Sequence, residues 1–204
     1  MTTSIVTLPV NSSRRAALVA TSIVGGAGLT ISAVPFVASM APSEKARAQG
    51  GPVEVDLIAL QKGEIKVVEW RKKPMFVLRR SQQMMDALSQ HDNLLTDPGS
   101  TQSEQPEYAR NAVRAIHPEI VLLEAVCTHL GCIPNFRPTL GASELGASWP
   151  GGFYCPCHGS KFDLAGRVFK GSPAPTNLRI PSHRFATESR LVIGIDPTAG
   201  PVTA

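Results

Sequence analysis

The sequence predicts an all-β domain carried on a single amino-terminal transmembrane helix. Three observations lead there. An uncharged stretch of 25 residues runs from Ala16 to Met40. Short period-two runs rich in β-branched and aromatic residues follow from Val53 onward. All four cysteines fall into two short clusters at the ends of such runs. At 43% hydrophobic and 18% charged, the 204 residues can bury a core and do not read as disordered. The net charge of +4 comes with no lysine or arginine block, only scattered pairs such as Arg79-Arg80, and gives no reason to expect a nucleic-acid partner.

Taken in order, residues 1–15 form an amino terminus ending in SSRR, and residues 16–40 form the helix. At 1.5 Å per residue the helix would extend about 37 Å, against a hydrocarbon core of roughly 30 Å. Gly25, Gly26, Gly28 and Pro35 would weaken a soluble helix but are tolerated in membranes, where small side chains also admit a neighbouring helix. Arg14 and Arg15 place the amino terminus in the cytoplasm by the positive-inside rule, with the rest of the chain across the membrane. The pair also resembles a twin-arginine export signal, although Ala17 replaces the usual bulky residue. That route suits a passenger folded around a preassembled cofactor. Ala46-Arg47-Ala48 has the offsets of a cleavage site. The apolar stretch nevertheless exceeds the roughly 7 to 15 residues of a secretory signal, so an uncleaved anchor is expected.

Residues 41–52, APSEKARAQGGP, read as a flexible neck with an end-to-end distance of roughly 20 Å, and residues 53–204 as the exported head. Within the head, VEVDLIAL from Val53, EIKVVEW from Glu64 and PMFVLRR from Pro74 predict strands. A short helix is predicted over Ser81 to Ser89, capped by Ser81, with Met84, Met85 and Leu88 on one face as packing rather than metal ligands. Residues 91–118, with Pro98, Pro106 and Pro118, predict a long irregular excursion. EIVLLEAV (119–126) leads into the first cluster, and WPGGFY (149–154) turns into a strand before the second. AGRVFKGSPAP predicts a strand running into a loop, and RLVIGID from Arg190 closes the domain. His91, His117 and His183 are read as solvated or locally satisfied, and Trp70, Trp149, Tyr108 and Tyr154 as core or turn residues.

The clusters read CTHLGC (127–132) and CPCHGS (155–160). Together they offer four thiols and two imidazoles, two more ligands than one tetrahedral zinc takes. Zinc held by two cysteines and two histidines would leave two cysteines idle, and two disulfides would leave both histidines unexplained. A [2Fe-2S] cluster taking one Cys and one His from each box, with the remaining cysteines paired, uses all six. Spacing alone does not say which cysteines ligate.

Both boxes, in this order and without a substitution, resemble those of the Rieske iron–sulfur proteins. The resemblance implies an antiparallel β head with base and cluster-binding subdomains. It implies Cys127 and Cys155 on one iron, His129 and His158 on the other, and a Cys132–Cys157 disulfide joining the loops. Leu130, Gly131 and the loop Gly171 to Pro175 would cover the cluster, and Ser160 would donate to a bridging sulfide. Phe162 stands where many members carry a tyrosine that bonds a ligand sulfur. With two thiolates and two neutral imidazoles the oxidised cluster is uncharged overall, whereas a four-thiolate cluster carries two negative charges. Reduction is therefore easier, which accounts for Rieske potentials of roughly −150 to +300 mV against about −400 mV for plant-type ferredoxins. The same implication makes His129 and His158 the quinol-facing residues whose protonation is linked to reduction.

WRKKPMFVLRR, QPEYARN, NFRP, WPGGF and PAPTNL extend the likeness to Rieske subunits of bacterial cytochrome bc1 complexes. That family takes one electron from quinol at cytochrome b and passes it to cytochrome c1, contributing to the proton-motive force. The expectation that follows is a dimeric complex in the bacterial inner membrane, with the head in the periplasm. The alternative is the Rieske small subunit of an arsenite-oxidase-type complex, which usually departs from GS in the second box. A Rieske ferredoxin or oxygenase domain would lack the membrane helix.

Overall fold

In the computed structural model, residues 11–43 and 50–197 are described, and the chain divides into two units, Met1–Ala48 and Gln49–Ala204. Half of the expected neck, residues 44–49, lies outside the described residues. Among its described residues the first unit holds one helix, α1 (Ser12–Ser39), capped by Asn11, whose side chain accepts a hydrogen bond from the Arg14 N–H at 3.1 Å. It begins four residues before the uncharged stretch and takes in both arginines. Thr21, Thr30, Ser32 and Ser39 return their hydroxyls to carbonyls three or four residues earlier, so these polar groups are satisfied within the helix. No residue of α1 is buried, and Leu18, Ile23, Leu29 and Phe36 are all exposed. A helix apolar around its whole circumference needs an apolar surrounding, and this one is long and apolar enough to cross a membrane.

The described residues of the second unit form nine strands: β1 (Val53–Asp56), β2 (Ile65–Trp70), β3 (Lys73–Arg79), β4 (Ile120–Glu124), β5 (Asn135–Arg137), β6 (Gly152–Tyr154), β7 (Lys161–Phe162), β8 (His183–Thr187) and β9 (Arg190–Ile193). They form three antiparallel three-stranded sheets, ordered β1-β9-β8, β2-β3-β4 and β5-β6-β7. The central strands β3 and β4 explain the layering. Their side chains alternate, and both faces are apolar. Phe76, Leu78, Val121 and Leu123 point into one core with Phe153 and Phe162 of the β5-β6-β7 sheet. Met75, Val77, Ile120 and Leu122 point into the other, with Val55, Leu191 and Ile193 of the β1-β9-β8 sheet. The sheet that carries the cysteine loops therefore packs on a support that is itself buried on both sides.

The predicted short helix is α2 (Gln82–Leu88), with Ser81 accepting from the Met84 N–H as its cap. The segment read as a strand at AGRVFKG makes only isolated bridges, Phe162 with Val168 and Leu95 with Phe169. Strands β5, β7 and β8 were not predicted. Gly50 and Gly51, expected in the neck, have their carbonyls taken by Arg71 Nε at 3.3 Å and Trp70 Nε1 at 3.0 Å.

The excursion after α2 contains two single 3-10 turns, Asp92–Leu94 and Glu107–Ala109, so most of its carbonyls lack partners in regular structure. Buried carbonyls require donors. Three arginines with no exposed surface supply some of these and tie the excursion to the segments around it. Arg80 donates to the carbonyls of Pro118 and Val113. Arg114 donates to those of Ala165, Gly166 and Leu178. Arg167 donates to those of Leu88 and Pro98, and to Asp92 Oδ1 at 2.8 Å. Burial pushes Arg80 and Arg114 down to about 10, still charged at neutral pH.

Asp163 balances this buried positive charge. It is fully buried, takes Arg167 Nε at 2.7 Å, and accepts the Ala165 and Arg167 backbone N–H groups on its other oxygen. His91 corrects the reading of a solvated residue. It is 6% exposed, its Nε2 lies 3.3 Å from Asp163 Oδ2, and its ring stacks on Phe169. Burial opposes ionisation of Asp163, but the His91 hydrogen bond and Arg167 outweigh it and hold the carboxyl below its ordinary range. A depressed carboxylate contributes stability that is complete above its unfolded pKa, near 4, and is lost as pH falls through its folded value. Asp163→Asn is expected to destabilise the head by about 3–5 kcal/mol at pH 7, because Arg167 stays buried without its main partner. It should also remove this residue's share of the acid sensitivity. Denaturant unfolding of the full chain in detergent at several pH values measures both.

Candidate metal centre

The two cysteine boxes adopt the same backbone. In the first, the Cys127 N–H donates to the Cys132 carbonyl at 2.8 Å and the Gly131 N–H to the Cys127 carbonyl at 3.0 Å. In the second, the Cys155 N–H donates to the Ser160 carbonyl at 2.8 Å and the Gly159 N–H to the Cys155 carbonyl at 2.9 Å. Gly131 and Gly159 occupy the same place in each loop with φ of +85° and +79°, a region costly for residues with a Cβ. The first loop follows β4 and leads to β5. The second joins β6 to β7. The paired strands thus hold two matching knuckles side by side.

Within the matching frames the side chains divide by depth. Cys127 and Cys155, first in each loop, are both 2% exposed and lie in the core that contains Phe153 and Phe162. His129 is half-buried and His158 exposed, with ring centroids 4.8 Å apart and the rings edge-to-face. Cys132 and Cys157 are joined by a disulfide with Cα atoms 6.7 Å apart, strapping one knuckle to the other. Leu130, 70% exposed, and Ile133, 55% exposed, make the tip of the head apolar.

The sulfur atoms of Cys132, Cys155 and Cys157 lie within 4.8 Å of one another. A disulfide has no thiolate to offer, however, so the bridged pair cannot act as ligands while the strap is intact. The free thiols are Cys127 and Cys155. Burial pushes the Cys127 thiol up, a hydrogen bond with Cys155 adds to the shift, and bonds from the His129 N–H and the Ser160 hydroxyl oppose it. Two adjacent buried thiols beneath two imidazoles match the two-thiolate, two-imidazole donor set of a Rieske-type [2Fe-2S] centre.

A third segment crosses both knuckles. The loop Gly171 to Pro175 lies between Phe169, which bonds the Lys161 carbonyl, and Thr176, whose carbonyl accepts the Thr128 hydroxyl at 2.7 Å. The Ala174 N–H donates to Ser160 Oγ at 3.1 Å. Pro175 and Thr176 share with Cys127, Thr128, His129 and Leu130 the wall of a cleft of about 510 Å³. Phe162, fully buried on β7, presents no hydroxyl to this pocket. Thr128 was not singled out from sequence, although it lies inside the first box, and Ser172 and Ala174 entered only as part of the loop that the resemblance lays over the cluster.

Residues 53–183 match the family described as the Rieske [2Fe-2S] domain. The chain is 52% identical over 188 residues to the ubiquinol-cytochrome c reductase iron-sulfur subunit of Allochromatium vinosum, covering 92% of this chain and 91% of that one. It is 40% identical over 177 residues to the subunit of the same name from Blastochloris viridis, covering 86% and 89%. A solved chain titled "Hyperthermophilic respiratory Complex III" is 26% identical with a TM-score of 0.47, over 87% of this chain and 98% of that one. With both boxes inside the matched span, and buried thiols, paired imidazoles and strap in place there, the chain belongs to the Rieske [2Fe-2S] family.

Proposed function

We propose that the chain is the electron-transfer subunit of a cytochrome bc1 complex, taking one electron from quinol bound at cytochrome b and delivering it to cytochrome c1. The observation that carries this reading is the donor set: two free buried thiols beneath two imidazoles at an apolar tip, held by a disulfide. Cys127 and Cys155 would hold one iron of the cluster, and His129 and His158 the other. When bound, the [2Fe-2S] cluster supplies one-electron transfer at a potential raised by its two neutral ligands.

The chain's own residues do the rest. With the cluster bound, one ring nitrogen each of His158 and His129 would be left to hold or release a proton as a quinol hydroxyl approaches. Leu130 and Ile133 surround them with apolar surface that keeps water from the approaching headgroup. The Ser160 hydroxyl stabilises negative charge on the sulfur atoms. α1 anchors the subunit in a bacterial inner membrane, with the amino terminus in the cytoplasm and the head in the periplasm. The complex is a dimer, and its turnover translocates protons. The arsenite-oxidase alternative is not favoured, since the relatives at 52% and 40% identity are ubiquinol-cytochrome c reductase subunits. Purification from the native membrane tests this: a Rieske EPR signal co-purifying with b-type and c-type haem is expected, and the signal without a b-type haem would overturn the bc1 reading.

Replacing His158 by alanine should abolish the EPR signal while the protein stays in the membrane fraction, because no other imidazole among the described residues adjoins the site. Cys132→Ser should keep every ligand yet lose the strap, at about 2–5 kcal/mol for a native disulfide in a small exported domain. Its visible absorption should therefore bleach at lower temperature than wild type.

A further inference from the structure

The loop Gly171 to Pro175 is fixed by one side chain whose contacts have no part in the ligand set. Ser172 Oγ accepts the Lys161 N–H at 3.1 Å and donates to the Lys161 carbonyl at 3.4 Å. Lys161 lies on β7, paired with Tyr154 across β6 on one side. On its other edge the Phe169 N–H bonds the Lys161 carbonyl at 3.1 Å, and the Ser172 hydroxyl meets the Lys161 N–H as well as that same carbonyl. Two residues further on, the Ala174 N–H occupies a lone pair of Ser160 Oγ at 3.1 Å. The Ser160 hydroxyl is buried and forms a side-chain hydrogen bond with Cys127.

These contacts form one chain of position. Ser172 locks the crossing loop to the edge of β7, the loop sets the Ala174 N–H, and that N–H turns the Ser160 hydroxyl so that it donates inward. A hydroxyl with a free lone pair could rotate. One already bonded to a fixed N–H has fewer orientations left. We propose that Ser172 is a positioning residue for the metal centre, orienting the Ser160 hydroxyl toward Cys127 through the loop it clamps. This rests on the reading of Cys127 as a ligand. A simple turn-stabilising role for Ser172 would instead affect how long the cluster is retained and leave its electronic properties alone.

The test is redox titration, followed by EPR, of the full chain in detergent, comparing Ser172→Ala, Ser172→Thr, Ser160→Ala and the Ser160→Ala/Ser172→Ala double variant. A donor to sulfur favours the more negative, reduced state. Misaligning it should therefore lower the reduction equilibrium constant of Ser172→Ala by about threefold, or about 30 mV for one electron. Ser172→Thr, which restores the hydroxyl, should return the wild-type value. The double variant should match Ser160→Ala alone, since a residue acting through Ser160 has nothing left to orient. An unmoved potential in Ser172→Ala, additive shifts in the double variant, or loss of the signal without a shift in the remainder would each overturn the proposal. Absence of a Rieske signal from the wild type would instead overturn the ligand reading on which it stands.

Discussion

The pairing of Asp163 with Arg167 is the interaction on which the rest of the head depends. Asp163 follows directly on β7, one residue after Phe162 and three after the second box, so whatever fixes this turn fixes the end of the second knuckle. Arg167 reaches from it to Leu88, Asp92 and Pro98, fastening the start of the excursion. Arg114 reaches from the end of the excursion back to the same turn at Ala165 and Gly166. A segment of nearly thirty residues without a strand is thereby held by guanidinium groups in the role sheets usually play. Three buried cations would be prohibitive without buried negative charge, and Asp163, with no exposed surface, is its deepest source.

The same economy governs the two knuckles. Each is a tight loop whose internal bonds close on the backbone of its first cysteine, and this turns that cysteine inward and lifts the residues at third and fourth position outward. The division into deep thiols and shallow imidazoles thus follows from loop geometry before any metal is considered. It also explains why the histidines need not occupy equivalent places. His129 is third in its loop and His158 fourth, yet the rings meet at the tip. The middle sheet, packed on both faces, supplies the rigid support that keeps the two loops in register.

Much of this was legible in the sequence, for identifiable reasons. β2, β3, β4 and β9 run four to seven residues with β-branched and aromatic side chains, enough to show their period, and Ser81 marked α2 through its cap. β5, β6 and β7 are three, three and two residues long, too short for a period to register, although WPGGFY announced β6 by its turn. The donor set stood out because four thiols and two imidazoles are concentrated in two short boxes. The buried arginines did not, because arginine is ordinarily read as surface. A lone charge inside an apolar run, as in AVRAI around Arg114 or AGRVF around Arg167, was the available clue. The burial of His91 could not be read locally at all, since its partner Asp163 is 72 residues away.

The exposure of Cys157 gives the strap a direction of attack. Its partner Cys132 is half-buried and the free thiols lie deep in the core, while Cys157 faces solvent. Thiol–disulfide exchange begins where a thiolate can reach a sulfur, so a dissolved thiol meets the bridge at its outer end. The knuckles would come apart from the tip inward, with the thiols of Cys127 and Cys155 the last to be uncovered. A reducing medium therefore threatens this head through its most exposed cysteine, and an oxidising one would keep the strap closed.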